Sequence, residues 1–104
     1  MAVVSPLHPG EVLREEFLVP LELSVYRLAQ ELGISRPAVN QLVREKATVS
    51  PRMAALLGKY FGTSAQFWLN LQAQYDVRLL DEDPDIQKAL AAVIPRASRK
   101  VAEL

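Results

Sequence analysis

Cysteine is absent from the 104-residue sequence, and long apolar runs are absent as well. Without cysteine, neither disulfides nor cysteine-bound zinc can hold the fold together, so hydrophobic packing must stabilise it. No apolar run approaches the roughly 20 residues that cross a bilayer, and the apolar opening at residues 1–4 is too short for a signal-peptide core. We therefore expect a cytoplasmic protein with no membrane partner.

Residue types that commonly carry catalysis are scarce. His8 is the single histidine, and without a cysteine or a second histidine the chain cannot build a nucleophile pair or a histidine-based metal site. The acidic run at residues 81–85 lacks the glycine and the distal glutamate of a calcium loop, which favours a solvated linker. We predict a protein that is not an enzyme, with no catalytic residue, no metal and no cofactor, and we interpret His8 as a helix cap.

An excess of charge of one sign is also missing, because 12 basic residues balance 12 acidic ones. The distribution along the chain is uneven. Residues 24–52 hold five basic and two acidic side chains, a net charge of +3, whereas the segment before Ser24 has a net charge of −3. Positive charge concentrated in one stretch is what contact with phosphate requires. Half of the residues are hydrophobic, and a chain of this length suits one domain with a modest core.

Residues 25–44, VYRLAQELGISRPAVNQLVR, have the pattern of two short helices joined by a tight turn. In the first half, apolar residues recur at the spacing of one helical face, and Ser24 precedes them where it can cap a first-turn N–H. Gly33 follows at the point where a left-handed residue would end the helix, and the small Ala29 allows a second helix to cross closely. This is the spacing of a helix-turn-helix, which points to double-stranded DNA.

The second half of the motif predicts a helix from Arg36 to about Arg44. Ser35 can cap this helix, and Pro37 lies in its first turn, where a missing N–H breaks no intrahelical bond. One face of the helix is apolar and the opposite face is polar. The apolar side chains are those of Val39, Leu42 and Val43. The polar side chains are those of Arg36, Asn40, Arg44 and, at the rim, Gln41.

The polar face has the chemistry of base recognition. Arginine can donate two hydrogen bonds to guanine, and asparagine or glutamine can pair in the same way with adenine, when the helix lies in the major groove. We predict that these four polar residues contact DNA, together with Lys46 just beyond the helix. The alternative for any polar stripe is an ordinary solvated face, but the cap, the turn glycine and the paired apolar faces favour the DNA-binding interpretation.

Three further helices are predicted around the motif. The run HPGE at residues 8–11 starts the first helix, which we expect to end at Pro20. A serine and a proline at residues 50–51 start the fourth helix, which a glycine ends. Residues 63–66 have the spacing of a capping box for the fifth helix, which should run to about Leu80. No stretch alternates with the period of a strand, so the sequence predicts an all-α fold of five helices.

The fifth helix carries two apolar stripes, and one domain core can readily bury only one of them. We predict that the second stripe forms part of a two-fold dimer interface, because helix-turn-helix proteins commonly read two half-sites about 34 Å apart. The alternative is that the C-terminal segment covers this stripe within one chain. The predicted interface residues are Leu69, Ala73, Val77 and Leu80.

A C-terminal helical extension and tail at residues 81–104 follow the DNA-binding and dimerisation domain, which we assign to residues 1–80. The run DPD at residues 83–85 is typical of a helix start, and the apolar residues after it predict a short amphipathic helix ending near Pro95. This helix could dock on its own domain, which we favour, exchange onto a dimer mate, or bind another partner. The basic residues that could add phosphate contacts in the tail are Arg96, Arg99 and Lys100.

Several motifs occur together in one order along the chain. They are HPGE at residues 8–11, LREEF at residues 13–17, the helix-turn-helix, SP at residues 50–51 and, above all, TSAQFWLNLQ at residues 63–72. This combination resembles the HigA-type antitoxins, also called the VapI group, within the XRE or lambda-repressor-like class. The resemblance covers residues 7–80 and is considerably more specific than a helix-turn-helix alone.

The resemblance implies a lambda-repressor-like fold and an antitoxin that dimerises, binds an operator in its own promoter and represses transcription. It also implies a protein partner, a HigB-type toxin, which is a RelE-like ribonuclease that cleaves messenger RNA. The same resemblance puts Trp68 in the core and implies that Ser35 and Pro37 lie at or near the DNA with the four polar residues. The alternative function is a stand-alone transcription regulator of the XRE type without a toxin partner.

Overall fold

The computed structural model describes residues 7–97. Every regular element in that range is helical, which confirms the predicted all-α fold of five helices followed by a short sixth helix. The helices are α1 (Pro9–Val12, Leu13–Leu18 and Val19–Leu21 in succession), α2 (Val25–Leu32), α3 (Arg36–Val43), α4 (Pro51–Phe61), α5 (Ala65–Asp81) and α6 (Pro84–Ala92). None of these helices has the length and apolar character needed to cross a membrane. The expectations for residues 1–4, Arg99 and Lys100 lie outside the described range.

Serine side chains cap the N-termini of four of the helices. Each serine Oγ accepts a hydrogen bond from the backbone N–H three residues further on, at 3.0 to 3.3 Å. Each bond satisfies a first-turn N–H that has no partner within the helix. Gly33 and Gly62 end α2 and α4 in the left-handed conformation, with φ angles of 72° and 71°. The capping serines are Ser24, Ser35, Ser50 and Ser64.

The start of α5 differs from the prediction. Thr63 and Gln66 do not form a capping box, because Ser64 caps the helix and accepts from the N–H of Phe67. The hydroxyl oxygen of Thr63 instead accepts a hydrogen bond from the indole N–H of Trp68 at 2.9 Å. A buried indole N–H needs an acceptor. The threonine hydroxyl therefore binds the indole of Trp68 and does not cap the helix.

Helix α1 contains a π-helical stretch, Leu13–Leu18, between two short α-helical turns. Hydrogen bonds between residues five positions apart bring both ends of this stretch onto one face, and both terminal leucines are buried. The prediction that Pro20 ends the helix was wrong by one residue, since α1 continues to Leu21 and ends at the left-handed Glu22. Pro20 has no N–H, and in a regular α-helix its ring would crowd the carbonyl four residues earlier; the stretch before it, Leu13–Leu18, is π-helical instead.

Trp68 lies fully buried at the centre of the core. Its ring faces those of Phe17 and Phe61, with centroids 5.3 and 6.4 Å away. Helices α4 and α5 approach closely beside it because Gly58 has no side chain, and a Cβ there would lie 2.6 Å from the carbonyl carbon of Ser64. The core therefore joins residues of all five domain helices. Its other large, fully buried side chains include Leu13, Leu28, Leu42 and Leu57.

Helix α6 is exposed along most of its length. Asp83 caps it as predicted, since its Oδ1 accepts from the N–H of Asp85 at 3.0 Å. The helix ends at Ala92, before the predicted end near Pro95. The favoured expectation that this helix docks on its own domain was wrong for its apolar end, which the described part of the chain leaves uncovered. Leu90 in the last turn of the helix is more than half exposed, and so are Val93 and Ile94 directly after it.

Candidate nucleic-acid interface

Helices α2 and α3 form the helix-turn-helix, and α3 separates its apolar and polar side chains as predicted. Val39 and Leu42 are 1% exposed and Val43 is 9% exposed, so this face packs on the core. The small side chain of Ala29 on α2 is buried as well. The outward side chains are Arg36, Asn40, Gln41 and Arg44, of which Asn40 alone is partly buried. The structure therefore brings the four predicted base-reading groups onto one accessible face.

A shallow groove runs between the start of α2 and the outward face of α3. Tyr26, which sequence reasoning did not select, lies in this groove with 58% of its surface exposed. The guanidinium carbon of Arg36 lies 5.6 Å from the centre of the Tyr26 ring, within cation–π distance. The ring restrains this arginine while leaving it accessible. An aromatic side chain at the second position of α2, outside the apolar stripe, was the sequence signal that could have identified it.

Ser35 and Pro37 shape the start of α3. The Ser35 hydroxyl oxygen accepts from the N–H of Ala38 at 3.3 Å, and Pro37 occupies the first turn, where its missing N–H costs no helical bond. Both side chains are exposed beside Arg36. The residues selected through the family resemblance therefore lie at one end of the polar face.

The chain turns sharply after α3. Glu45 is left-handed with a φ of 62°, and the N–H of Lys46 donates to the carbonyl oxygen of Gln41 at 2.8 Å. This turn keeps Arg44 and Lys46 exposed on either side of Glu45. The Glu45 carboxylate pairs with Arg14 of α1 at 3.2 Å. That ion pair offsets the negative charge between the two basic residues.

Arg27 is engaged by an acidic side chain of its own helix. Its Nε lies 2.6 Å from the carboxylate of Glu31, which also accepts a hydrogen bond from the hydroxyl of Tyr60. The hydrogen bonds from Tyr60 and Arg27 lower the pKa of Glu31, and the carboxylate raises the pKa values of both partners. Arg27 thus adds less positive potential than the sequence count implied. The basic residues of the motif region that form no ion pair with another described residue are Arg36, Arg44, Lys46 and Arg52.

His8 has the structural role that the sequence predicted. Its Nδ1 accepts a hydrogen bond from the N–H of Gly10 at 2.9 Å and so caps α1. Its ring packs edge to face on Tyr75, with centroids 4.9 Å apart, and only 5% of its surface is exposed. Across residues 7–97, no group of three or more acidic or histidine side chains is arranged to hold a metal ion.

The second apolar stripe of α5 is largely exposed. Val77 and Leu80 are 60% and 44% exposed, and Ala73 is exposed one turn earlier. Leu69 differs, because it is partly buried against the core of its own chain. A shallow groove passes along Ala73 and Val77. The other described residues therefore leave most of this stripe uncovered.

Known proteins are similar to this chain in sequence and in fold. The Helix-turn-helix family model, HTH_3, matches residues 13–68. Virulence-associated protein I of Dichelobacter nodosus is 40% identical over 89 residues, which cover 86% of this chain and 80% of that protein. An uncharacterized HTH-type transcriptional regulator of Haemophilus influenzae is 38% identical over 99 residues, covering 95% and 92%. The structure of Pseudomonas aeruginosa antitoxin HigA with the higBA promoter aligns with a TM-score of 0.82 at 43% identity, covering 88% of this chain and 98% of that one.

The matched residues run from α1 to Trp68, so they contain the helix-turn-helix and most of the core. Fold and sequence together define a helix-turn-helix protein of lambda-repressor-like architecture. The chain belongs to the helix-turn-helix family and, within it, to the HigA-type antitoxins. Its relatives are antitoxins and transcription regulators, and the protein is accordingly not an enzyme.

Proposed function

We propose that this protein is a sequence-specific antitoxin that binds double-stranded operator DNA, represses its own operon and neutralises a HigB/RelE-like, mRNA-cleaving toxin. The outward face of α3 supports DNA binding, because four side chains suited to base edges lie on a helix whose other face is buried. The similar antitoxin HigA was solved with the higBA promoter, which supports the same kind of partner here. Binding to an operator implies action in the cytoplasm, where that DNA lies.

In this proposal, the polar side chains of α3 read bases, and a basic side chain in the turn after α3 holds a phosphate. Arginine pairs with the O6 and N7 atoms of guanine, and asparagine or glutamine with N6 and N7 of adenine. Lys46, beyond the helix, is suited to a phosphate, and Ser35 and Pro37 approach the DNA with the first turn. In this proposal the base-reading residues are Arg36, Asn40, Gln41 and Arg44.

Replacing Gln41 or Arg44 by alanine is expected to weaken binding to the protein's own promoter by about 1 to 3 kcal/mol for each side chain that pairs with a base. Both side chains are exposed, so the change affects the DNA interface without opening the core. Fluorescence anisotropy at fixed salt, on the protein's upstream DNA and on a scrambled duplex, measures the effect. Weaker binding to the cognate duplex alone indicates pairing with a base, whereas equal weakening on both indicates pairing with a phosphate.

Gln66→Ala is the matched control, because Gln66 is an exposed glutamine on α5, outside the helix-turn-helix. It should leave both affinities unchanged. If neither Gln41→Ala nor Arg44→Ala alters promoter binding, α3 is not the reading helix and the proposal is wrong.

We propose that the second stripe of α5 mediates a two-fold dimer. Exposed Ala73, Val77 and Leu80 supply its apolar surface, with the partly buried Leu69 at its margin. The uncovered apolar end of α6 adds further surface for a second copy. A two-fold pair would present two copies of α3 to half-sites about 34 Å apart, one turn of the double helix.

Val77→Glu is expected to convert the dimer into a monomer at micromolar concentration, because it places a charge in an apolar interface. Size-exclusion chromatography with light scattering measures the mass. Val19→Glu is the matched control, since Val19 on α1 is 61% exposed and Val77 is 60% exposed, and this variant should remain dimeric. A monomeric wild-type protein at the same concentration would contradict the dimer.

The toxin-neutralising half of the proposal is supported by the antitoxin names of the relatives. A stand-alone regulator is the second candidate, and the similar transcriptional regulator of Haemophilus influenzae favours it. Expression of the adjacent reading frame, alone and with this gene, distinguishes the two functions. An adjacent product that stops growth alone and purifies in complex with this chain supports the antitoxin, whereas a harmless product that does not bind supports the regulator.

A further inference from the structure

Arg14, on α1, reaches across to the C-terminal end of α3. Its Nη1 donates a hydrogen bond to the carbonyl oxygen of Val43 at 2.6 Å, and its Nη2 lies 3.2 Å from the carboxylate of Glu45. Its Nε also pairs with Glu15 of its own helix at 2.9 Å. One guanidinium therefore ties α1 to residues that lie 29 and 31 positions later in the chain.

Both distant partners of Arg14 belong to residues with an unfavourable backbone position at the end of α3. The carbonyl of Val43 belongs to the last turn of α3, where carbonyl groups have no donor within the helix and a cation also complements the helix dipole. Glu45 holds the left-handed conformation that glycine more often occupies at this position. Arg14 thus donates a hydrogen bond to a carbonyl oxygen at the C-terminal end of α3. It also anchors the side chain of Glu45, the residue that makes the turn.

The backbone of α1 also lies against this end of α3. A Cβ on Gly10 would be 1.8 Å from the carbonyl oxygen of Leu42, so only glycine permits the approach. Gly10 and Arg14 lie one turn apart on α1 and contact the successive carbonyl groups of Leu42 and Val43. Helix α1 therefore holds the last turn of α3 and the basic residues that follow it.

We propose that Arg14 is a positioning residue for DNA recognition, which orients the C-terminal end of α3 and so Arg44 and Lys46 without touching DNA. This inference rests on the proposed DNA-binding function. Base readout requires side chains to be held within about half an ångström, whereas attraction to phosphate depends mainly on net charge. Removal of the Arg14 guanidinium therefore reduces discrimination between sequences more than it reduces affinity for DNA in general.

Arg14→Met tests the inference, because it retains an unbranched stem and removes the guanidinium. The measured quantity is the affinity for the protein's own operator divided by that for a scrambled duplex at the same salt concentration. We expect this ratio to fall about fivefold to tenfold. The change in net charge weakens both complexes alike and cancels from the ratio. Without DNA, the N–H of Lys46 should exchange with solvent about tenfold faster, while unfolding remains cooperative.

Two further variants separate positioning from stability. Glu15→Gln removes the ion pair within α1 but leaves the contacts of Arg14 to Val43 and Glu45, so the ratio should stay at the wild-type value. Glu45→Gly removes the carboxylate and supplies a residue suited to the left-handed turn. This variant should stay folded and still show a lower ratio.

The outcomes distinguish this inference from the proposed function. If the wild-type protein discriminates between the duplexes and both Arg14→Met and Glu45→Gly discriminate equally well, the inference is overturned and the function stands. If the wild-type protein does not discriminate, the proposed function fails and the inference fails with it. If Arg14→Met does not fold, Glu45→Gly decides the result.

Discussion

Gly10→Ala is expected to lower the free energy of unfolding by about 3 kcal/mol or more. A Cβ at this position would lie 1.8 Å from the carbonyl oxygen of Leu42 and 2.9 Å from its carbonyl carbon. Both are backbone atoms of α3, so no side-chain rotation relieves the overlap and α1 must move away. A small domain has a total stability of about 5 to 15 kcal/mol, and urea unfolding followed by circular dichroism will measure the decrease.

Gly33→Ala separates this steric effect from the conformational freedom of glycine. Gly33 has a φ of 72°, and a Cβ there would meet no atom within 4 Å. Alanine at this turn therefore introduces only left-handed strain, about 1 to 2 kcal/mol, which the Gly10→Ala effect should exceed. If Gly10→Ala were as stable as the wild type, α1 could shift at little cost, and the close approach to α3 would not matter for stability.

Helix boundaries were largely predictable from the sequence because caps are local. Ser24, Ser35 and Ser50 each accept from an N–H three residues away, and Gly33 and Gly62 adopt the left-handed conformation directly after an apolar periodic run. Each of these interactions involves residues within one helical turn. Residue type and spacing were therefore enough to identify them.

Contacts between distant segments were not predictable from spacing. Arg14 meets Glu45, 31 residues later, and Tyr26 packs under Arg36 across the turn of the motif. Such pairs depend on how helices cross, which periodicity does not specify. The choice of cap for α5 has the same origin, because the hydroxyl that spacing selected is occupied by the indole of the core tryptophan.

The candidate site was predictable in its residue types and not in its electrostatics. Helical periodicity determines which side chains of α3 face outward, and the structure agrees. Arg27 and Glu45 each contribute a full charge to the net charge of the sequence, although in the structure each is paired with a residue of opposite sign. The bases that α3 selects depend also on its docking angle against DNA, which the spacing of residues along the sequence does not specify.

Trp68→Ala is expected to lower the free energy of unfolding by about 3 to 5 kcal/mol. The side chain is fully buried, with the rings of Phe17 and Phe67 at 5.3 and 5.2 Å. Truncation leaves a cavity between these rings and removes the donor to the Thr63 hydroxyl. Because the chain has one tryptophan, far-ultraviolet circular dichroism must replace fluorescence in the urea titration.

Trp68→Phe and Tyr26→Ala are the variants with which the stability loss of Trp68→Ala is compared. Phenylalanine keeps an aromatic ring in the core without the hydrogen bond, so it should cost about 1 to 2 kcal/mol, whereas Tyr26→Ala at an exposed site should stay within about 0.5 kcal/mol. A Trp68→Ala effect as small as that of Tyr26→Ala would contradict the core position. Since α5 carries Trp68 on one face and the proposed dimer stripe on another, Trp68→Ala should weaken folding and pairing together, whereas Val77→Glu should abolish pairing alone.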